Sequence, residues 1–110
     1  MVDPKQPISP EAISAAGLDD WRVIDGVLCA LFHTGDFAGG ARLTGQIAVV
    51  ADELNHHPDV DLRYPHLTVR TISHDVSALT SRDVELARRI STLAAEAGAA
   101  PGPGEVTGPG

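Results

Sequence analysis

Three histidines have the spacing that proton-transfer chemistry would use. His56 and His57 are adjacent and precede Pro58, and His74 follows a run in which apolar and polar residues alternate. Imidazole both takes and gives a proton near neutral pH, which is what general acid and base catalysis requires. A helix that ends at the adjacent pair could place both imidazoles on one wall of a cleft. The spacing therefore permits a histidine cluster.

The same histidines also have structural interpretations. A His-His-Pro sequence is typical of a polar helix C-terminus, where imidazole interacts favourably with the helix dipole and the free carbonyls. His74 could equally be an exposed strand-end residue, and we interpret His33 and His66 as structural. A metal site built from the imidazoles and nearby aspartates is a third alternative, but no recognised ligand spacing occurs.

Composition limits the class of protein. The chain has 110 residues, of which 43% are hydrophobic and 21% charged, and this predicts one folded globular domain. A formal charge of −7 argues against nucleic acid or an anionic membrane as a partner. The single cysteine, Cys29, excludes an intrachain disulfide. Because there is also no targeting sequence and no apolar run of about 18 residues, we expect a cytoplasmic protein.

The sequence of the first half of the domain predicts a helix, a hairpin and a longer helix. A short helix starts after Ser9, carries Ile13 and Ala16 inward and ends at Gly17. Two strands, 21–24 and 27–32, flank an Asp-Gly pair that suits a tight hairpin turn. A helix then starts at Asp36 and is stopped by Pro58. Its apolar stripe consists of Leu43, Ile47, Val50 and Leu54.

The second half predicts two more strands and a last helix. Apolar residues alternate with polar ones on either side of a break at Pro65. The inward positions are Leu62, Tyr64, Leu67, Val69 and Thr71. Thr80 and Asp83 have the spacing of a capping box, and the helix that follows ends at Gly98. Its predicted buried stripe is Leu86, Ile90, Leu93 and Ala97.

These elements predict an α+β fold. The order helix, strand, strand, helix, strand, strand, helix suits a four-stranded antiparallel sheet with helices packed on one face. The folded domain spans 9–98, residues 1–8 are predicted to be disordered, and the Gly/Pro-rich residues 99–110 are predicted to be a flexible tail. A small core poor in aromatic residues and an open sheet edge favour a homo-oligomer.

The combined motifs resemble the pterin-4a-carbinolamine dehydratase family. The similarity runs from about residue 9 to residue 98 and includes the hairpin and the start of the long helix. The motif residues are Asp52, then His56-His57-Pro58, Tyr64 six residues after the proline, His74 ten residues after that, and Asp83 within Leu79-Thr80-Ser81-Arg82-Asp83. The same element order holds these positions in register.

The resemblance implies a reaction and its participants. Members of the family remove water from a 4a-hydroxytetrahydropterin to give a quinonoid dihydropterin, which recycles the cofactor of aromatic amino-acid hydroxylases. No cofactor of the enzyme's own is implied, and the substrate is a reduced pterin. The family forms homodimers and homotetramers. A noncatalytic pterin-binding or regulatory protein on the same fold is the alternative, because some animal members act as partners of a transcription factor.

The resemblance also assigns roles to residues. It makes His56 and His74 the principal acid and base, with the order of the two left open, and His57 a third residue that orients the 4a-hydroxyl or acts on one face of the ring. The substrate-binding residues that it implies are Asn55, Ser73, Asp75 and Asp83, partly through their main chain. Asp83 can orient a histidine while it caps its helix.

Overall fold

The structure is a computed structural model that describes residues 2–109. Met1 and Gly110, the outermost residues of the predicted disordered segment and of the predicted tail, lie outside the described residues. The elements are α1 (Pro10–Ser14), β1 (Trp21–Ile24), β2 (Val27–His33), α2 (Phe37–Leu54), β3 (Asp59–Leu62), β4 (His66–Thr71), α3 (Ser81–Glu96) and β5 (Ala100–Pro101). The predicted element order is confirmed, and β5 is an addition to it.

The sheet is antiparallel and confirms the predicted α+β class. Its strands lie in the order β1, β2, β4, β3, with β5 paired to the end of β2. Asp25 and Gly26 have φ angles of 53° and 78°, the left-handed values that the predicted hairpin turn requires. The predicted four-stranded sheet thus has a fifth, two-residue strand among the described residues.

The core lies between the sheet and its helices. Alternate residues of β2 and β4 point into it, and one stripe of α2 and one of α3 cover them. The largest fully buried apolar side chains are Phe32, Leu28, Leu43, Ile47, Leu67, Leu86 and Ile90. The opposite face of the sheet carries no helix in the part of the chain that the structure describes.

Two predicted inward positions are wrong. Tyr64 is 67% exposed because β3 ends at Leu62 and the residues before Pro65 turn toward β4. Ala97 is exposed because α3 ends at Glu96, and Ala94 is buried in the stripe instead. The long helix also ends earlier than predicted, since α2 stops at Leu54, well before Pro58.

The last described residues form a C-terminal strap, which we define as residues 99–109. Strand β2 runs beyond the end of β1, and β5 pairs with the part of the edge left open. Beyond β5 the strap lies against the helix-free face, where Arg70 donates hydrogen bonds to the Thr107 carbonyl and His33 contacts Glu105. The Gly/Pro-rich composition gave no indication of this strand, because it depends on the open edge of β2.

The N-terminal segment contacts the folded domain. The Ile8 amide donates a hydrogen bond of 2.8 Å to the Leu79 carbonyl, so the end of the segment predicted to be disordered touches the domain. Between residues 2 and 109 there is no helix with the combination of length and apolarity that crossing a bilayer requires.

Candidate functional site

The end of α2 separates the two adjacent histidines. Asn55 caps the helix in a left-handed conformation, with φ 50° and ψ 43°, and asparagine tolerates this conformation better than most residues. The turn directs His56 inward, where it is 8% exposed, whereas the His57 side chain is 58% exposed. The two imidazoles therefore have different environments, one in the interior and one at the surface.

His56 meets a buried carboxylate at the start of α3. Its Nε2 lies 2.7 Å from Oδ1 of Asp83, a residue with no solvent exposure. Asp83 is held there because it belongs to the predicted capping box, in which its Oδ2 accepts the Thr80 amide hydrogen at 3.0 Å. The capping and the orienting roles of Asp83 therefore use different oxygens of the same carboxylate.

Two hydroxyl groups complete the surroundings of Asp83. Thr71, the last residue of β4, donates to Oδ1 at 2.6 Å, and Ser73 donates to Oδ2 at 2.7 Å. Because the single Ser73 hydroxyl hydrogen is used in this way, the Thr80 hydroxyl donates to Ser73 at 2.8 Å. Each oxygen of Asp83 thus accepts two hydrogen bonds, so the buried carboxylate is fully satisfied.

The directions of these hydrogen bonds determine the tautomer of His56. Carboxylate oxygen only accepts, and the single hydrogen of the Thr71 hydroxyl is donated to Asp83. The Thr71 oxygen lies 3.3 Å from Nε2, so it too faces that nitrogen as an acceptor. Both neighbours therefore require a hydrogen on Nε2. In the neutral ring Nδ1 is then the nitrogen that can accept a proton.

His57 is paired with the last turn of α2. Its Nε2 lies 2.8 Å from Oδ1 of Asp52, and both side chains are mostly exposed. This pair lies at the surface, so solvent screens it and its contribution to stability is small. The contact fixes the orientation of the imidazole beside the Asn55 turn.

His74 lies in the tight loop between β4 and α3. Ser73 and Ala78 exchange main-chain hydrogen bonds across this loop, and His74 and Asp75 are exposed at its tip. Arg82 donates two hydrogen bonds, of 2.8 and 3.2 Å, to the Asp75 carboxylate in this loop. The hydrogen bond from Arg82 lowers the pKa of the Asp75 carboxyl below its ordinary value. The loop that carries His74 is thus attached to α3.

The structure brings together only some of the predicted site residues by direct contact. His56, Ser73 and Asp83 form one buried network, and Ser73 leads directly into the loop of His74 and Asp75. The side chains of Ser73 and Asp83, predicted to bind substrate, have protein partners, and they hold His56 through these contacts. Asn55 and His57 lie at the end of α2, on the exposed side of the same turn.

Sequence reasoning missed two members of this arrangement. The sequence predicts Thr71 only as an inward strand residue, and it predicts Arg82 only as part of the helix start and of the family motif. One signal in the sequence could have identified Thr71. A threonine at a buried strand position needs a polar partner, because a buried hydroxyl group needs a hydrogen bond. For Arg82 no comparable signal exists, because its partner Asp75 is seven residues away across a loop.

Concave surface occurs on both sides of the molecule. A cavity of about 170 Å³ lies beside the network, lined by Leu54, Ser81, Arg82 and Glu85 at the junction of α2 and α3. A cavity of about 530 Å³ lies on the helix-free face, and its lining includes His33 and His66. Within residues 2–109 no three histidine, cysteine or acidic side chains are grouped so that they could hold a metal ion.

Comparisons with known proteins agree on one family. The sequence model described as pterin 4 alpha carbinolamine dehydratase matches residues 6–93. Two relatives are each named "Putative pterin-4-alpha-carbinolamine dehydratase". The one from Mycobacterium leprae is 34% identical over 88 residues, which cover 78% of this chain and 94% of that protein. The one from Streptomyces coelicolor is 35% identical over 99 residues, which cover 87% of this chain and 98% of that protein.

A solved structure shares the fold. The crystal structure of a transcriptional coactivator/pterin dehydratase from Brucella melitensis superposes with a TM-score of 0.76 at 25% sequence identity. The match covers 81% of this chain and 99% of that chain. The family match ends at residue 93, so the C-terminal strap lies beyond it.

Proposed function

Because this chain belongs to the pterin 4 alpha carbinolamine dehydratase family, we propose that it is a dehydratase acting on a 4a-hydroxytetrahydropterin. The product is the quinonoid dihydropterin, and the physiological context is recycling of a tetrahydrobiopterin-type cofactor. The observation that carries the proposal is the buried contact between His56 and Asp83, at two positions of the family motif. That contact leaves one imidazole nitrogen to accept a proton.

The reaction needs one base and one acid. The proton on N5 of the pterin leaves, its electron pair forms the N5–C4a double bond, and the C4a–O bond breaks. The departing hydroxyl takes up a proton and leaves as water, so no oxidant or reductant is consumed. We assign the base to Nδ1 of His56, because the Asp83 carboxylate stabilises the imidazolium that forms when this nitrogen takes the proton. We assign the acid to His74.

The remaining predicted residues receive positioning and binding roles in this proposal. His57, held by Asp52, orients the 4a-hydroxyl from the exposed side of the Asn55 turn. Asn55 and Asp75 contact the pterin from the end of α2 and from the loop of His74. Ser73 acts through Asp83, because its hydroxyl donates to that carboxylate. No cofactor is required by the balance of atoms given above.

A direct assay tests the proposal. Dehydration of freshly generated 4a-hydroxytetrahydropterin is followed by absorbance without protein, with the wild type, and with His56→Ala and His74→Ala, with a metal chelator present throughout. His66→Ala is the matched control, because His66 lies on the helix-free face. We expect the wild type and the control to accelerate the reaction and each of the other variants to lose about 10²- to 10⁴-fold. No acceleration by the wild type would reject the proposal.

A noncatalytic role on the same fold is the second candidate. It is favoured by one comparison, since the Brucella protein is described as both a transcriptional coactivator and a pterin dehydratase. In this case the protein would bind a reduced pterin, or a protein partner, without turnover. Calorimetric titration with a stable tetrahydropterin separates the candidates, because binding without acceleration of dehydration supports the second one and excludes the first.

We also propose that the chain forms a homodimer or a homotetramer. Two apolar side chains of α2 are unusually open to solvent, Phe37 at 53% and Val49 at 59%, and the outer edge of β3 has no partner strand among the described residues. Such surfaces favour association of copies. Light scattering at micromolar concentration should give a mass of two or four chains. A monomer at all concentrations would contradict this proposal.

A further inference from the structure

Thr71 is a buried hydroxyl residue that the proposed reaction has not used. It is the last residue of β4, is 2% exposed, and faces the helices from the core side of the sheet. Its hydroxyl lies 2.6 Å from Oδ1 of Asp83 and 3.3 Å from Nε2 of His56. The hydroxyl is therefore in reach of both members of the pair that defines the site.

The Thr71 hydroxyl oxygen, Oδ1 of Asp83 and Nε2 of His56 each lie within hydrogen-bond distance of the other two. Only one placement of the hydrogens satisfies all three contacts. The Thr71 hydroxyl has one hydrogen, and the shorter contact directs it to Asp83. Its lone pairs then face the hydrogen on Nε2 of His56. If His56 adopted the other neutral tautomer, Nε2 would need a donor, and the Thr71 hydrogen would have to leave the carboxylate to supply it. That exchange would leave Oδ1 with no donor in a site without solvent.

We propose that Thr71 is a positioning residue that locks His56 in the tautomer with hydrogen on Nε2. The catalytic consequence rests on the proposed dehydratase function, because only then is Nδ1 the base. The lock itself rests on the hydrogen-bond geometry alone. It acts through Asp83, whose Oδ1 the hydroxyl holds in line with Nε2.

A purely structural role for Thr71 predicts a different outcome. If the hydroxyl only satisfies a buried carboxylate, its removal lowers stability and leaves the ring of His56 unchanged. If it locks the tautomer, its removal changes the protonation of the two ring nitrogens. The two roles can therefore be separated by a measurement on His56 itself, without reference to activity.

The test uses three threonine variants of the full chain. Thr71→Val removes the hydroxyl with little change of shape, and Thr71→Ser restores it. Thr68→Val is the matched control, since Thr68 is also a buried residue of β4 but lies on the opposite, helix-free face. Circular dichroism and urea unfolding establish that each variant folds. The readout is the nitrogen-15 spectrum of the histidine side chains at a pH where His56 is neutral, assigned by comparison with His56→Ala.

The lock predicts a specific pattern of spectra and rates. The wild type, Thr71→Ser and Thr68→Val should show one protonated and one unprotonated ring nitrogen for His56, with the hydrogen on Nε2. In Thr71→Val the Asp83 carboxylate remains, but the hydroxyl no longer holds its Oδ1 in line with Nε2, so the shifts should move from those of the single tautomer toward those of a mixture. In the dehydration assay we expect kcat of Thr71→Val to fall about tenfold while KM stays within about twofold, because binding contacts remain and only the positioned base is affected.

Each outcome decides the inference. Unchanged nitrogen shifts in Thr71→Val would overturn it, whatever the rate. Equal effects in Thr71→Val and Thr71→Ser would also overturn it, since the hydroxyl would not be the cause. If the shifts change as expected but the wild type shows no dehydration, the tautomer lock holds and the proposed function fails. The two proposals therefore fail separately.

Discussion

At the scale of single residues, Asp83 is a carboxylate that is both fully buried and fully hydrogen-bonded. Its carboxylate has no contact with solvent and accepts four hydrogen bonds, one of them from an imidazole. A buried charge is tolerated when donors surround it, and removal of one partner leaves the others unsatisfied. This residue therefore serves the fold and the proposed chemistry at the same time.

Replacement of Asp83 by asparagine tests that dual role. The amide nitrogen of Asp83→Asn would face donors instead of accepting from them, so we expect a loss of about 3 kcal/mol in the free energy of unfolding. Activity should fall with it, because the negative charge that stabilises the His56 imidazolium is lost. Asp19→Asn is the control, since Asp19 is exposed. Urea unfolding is the measurement, and equal stability of the two variants would contradict the role assigned to Asp83.

Asp75 provides a prediction about pH. The hydrogen bond from Arg82 lowers the pKa of Asp75 in the folded protein below its ordinary value of 3.8. A lowered folded pKa means that the pair stabilises the loop at pH values above the unfolded pKa and that this contribution is lost as the pH falls through the folded pKa. In Arg82→Gln the pKa should rise toward 3.8.

Carboxyl titration by NMR measures this shift. Arg88→Gln is the matched control, because Arg88 lies on the same helix and donates to the Ala16 carbonyl instead of a carboxylate. The pKa of Asp75 should be unchanged in that variant. A pKa that did not rise in Arg82→Gln would show that the ion pair is absent in solution, and the loop of His74 would then lack its attachment to α3.

At the scale of elements, α2 carries three glycines, and two of them, Gly40 and Gly45, have opposite surroundings. A Cβ on Gly40 would lie 2.5 Å from Cδ1 of Leu62 and 3.3 Å from Oγ1 of Thr34, so glycine permits the close approach of α2 to β3. A Cβ on Gly45 would have no neighbour within 4 Å. Gly45 therefore reports only the lower helix propensity of glycine, whereas Gly40 also reports the packing of α2 against β3.

The two alanine variants should change the free energy of unfolding in opposite directions. Gly45→Ala should gain about 0.5–1 kcal/mol in the free energy of unfolding, because alanine favours the helix more than glycine does. Gly40→Ala should lose about 1 kcal/mol, because Leu62 must move to admit the methyl group. Urea unfolding of both variants is the measurement. Equal gains at both positions would show that α2 and β3 are not in close contact.

Much of this arrangement of elements could be predicted from local sequence. The Asp-Gly turn and the Thr80 capping box act within a few residues, and both are confirmed. The stripes of the two long helices are confirmed except at Ala97. The errors at Tyr64 and Ala97 arose where a pattern was continued past the end of its element. The sequence predicts that Pro58 ends α2, whereas the left-handed Asn55 ends it.

The candidate site was predictable only in part. The residue types and their family motif indicated the histidines, and the resemblance implied that Asp83 orients a histidine. Which histidine Asp83 contacts, and which other groups surround that contact, depend on tertiary structure. Asp83 is 27 residues away from that histidine, and Thr71 and Ser73 reach the same carboxylate from the end of β4. No local pattern encodes a contact of that range, which is why the different burial of His56 and His57 could not be foreseen.

At the scale of the whole molecule, the C-terminal strap covers part of the helix-free face. Cys29 points to this face and has no solvent exposure. The strap contacts Arg70, which is opposite Cys29 on β4, and Ile24 of the neighbouring strand β1. Burial raises the pKa of the Cys29 thiol, so little thiolate is present near neutral pH. The reactivity of the Cys29 thiol can therefore report whether the strap covers this face of the sheet.

Removal of residues 102–110 should expose this thiol. We expect its reaction with an aromatic disulfide reagent to become at least about tenfold faster than in the wild type, because both exposure and the thiolate fraction increase. Removal of residues 2–5, at the other end of the chain, is the control and should leave the rate unchanged. If the wild type reacts as fast as the shortened protein, the strap does not cover the sheet in solution.

The span of the Asp83 network has a consequence for the order of events in folding. Its donors come from the end of α2, from β4 and from the start of α3, so none of these segments alone contains the site. The hairpin and the separate helices can begin to form from local interactions, but the His56 imidazole finds its acceptor only when α3 docks. Recovery of the proposed dehydratase activity during refolding should therefore report the completion of the domain, at a later time than the recovery of helical signal.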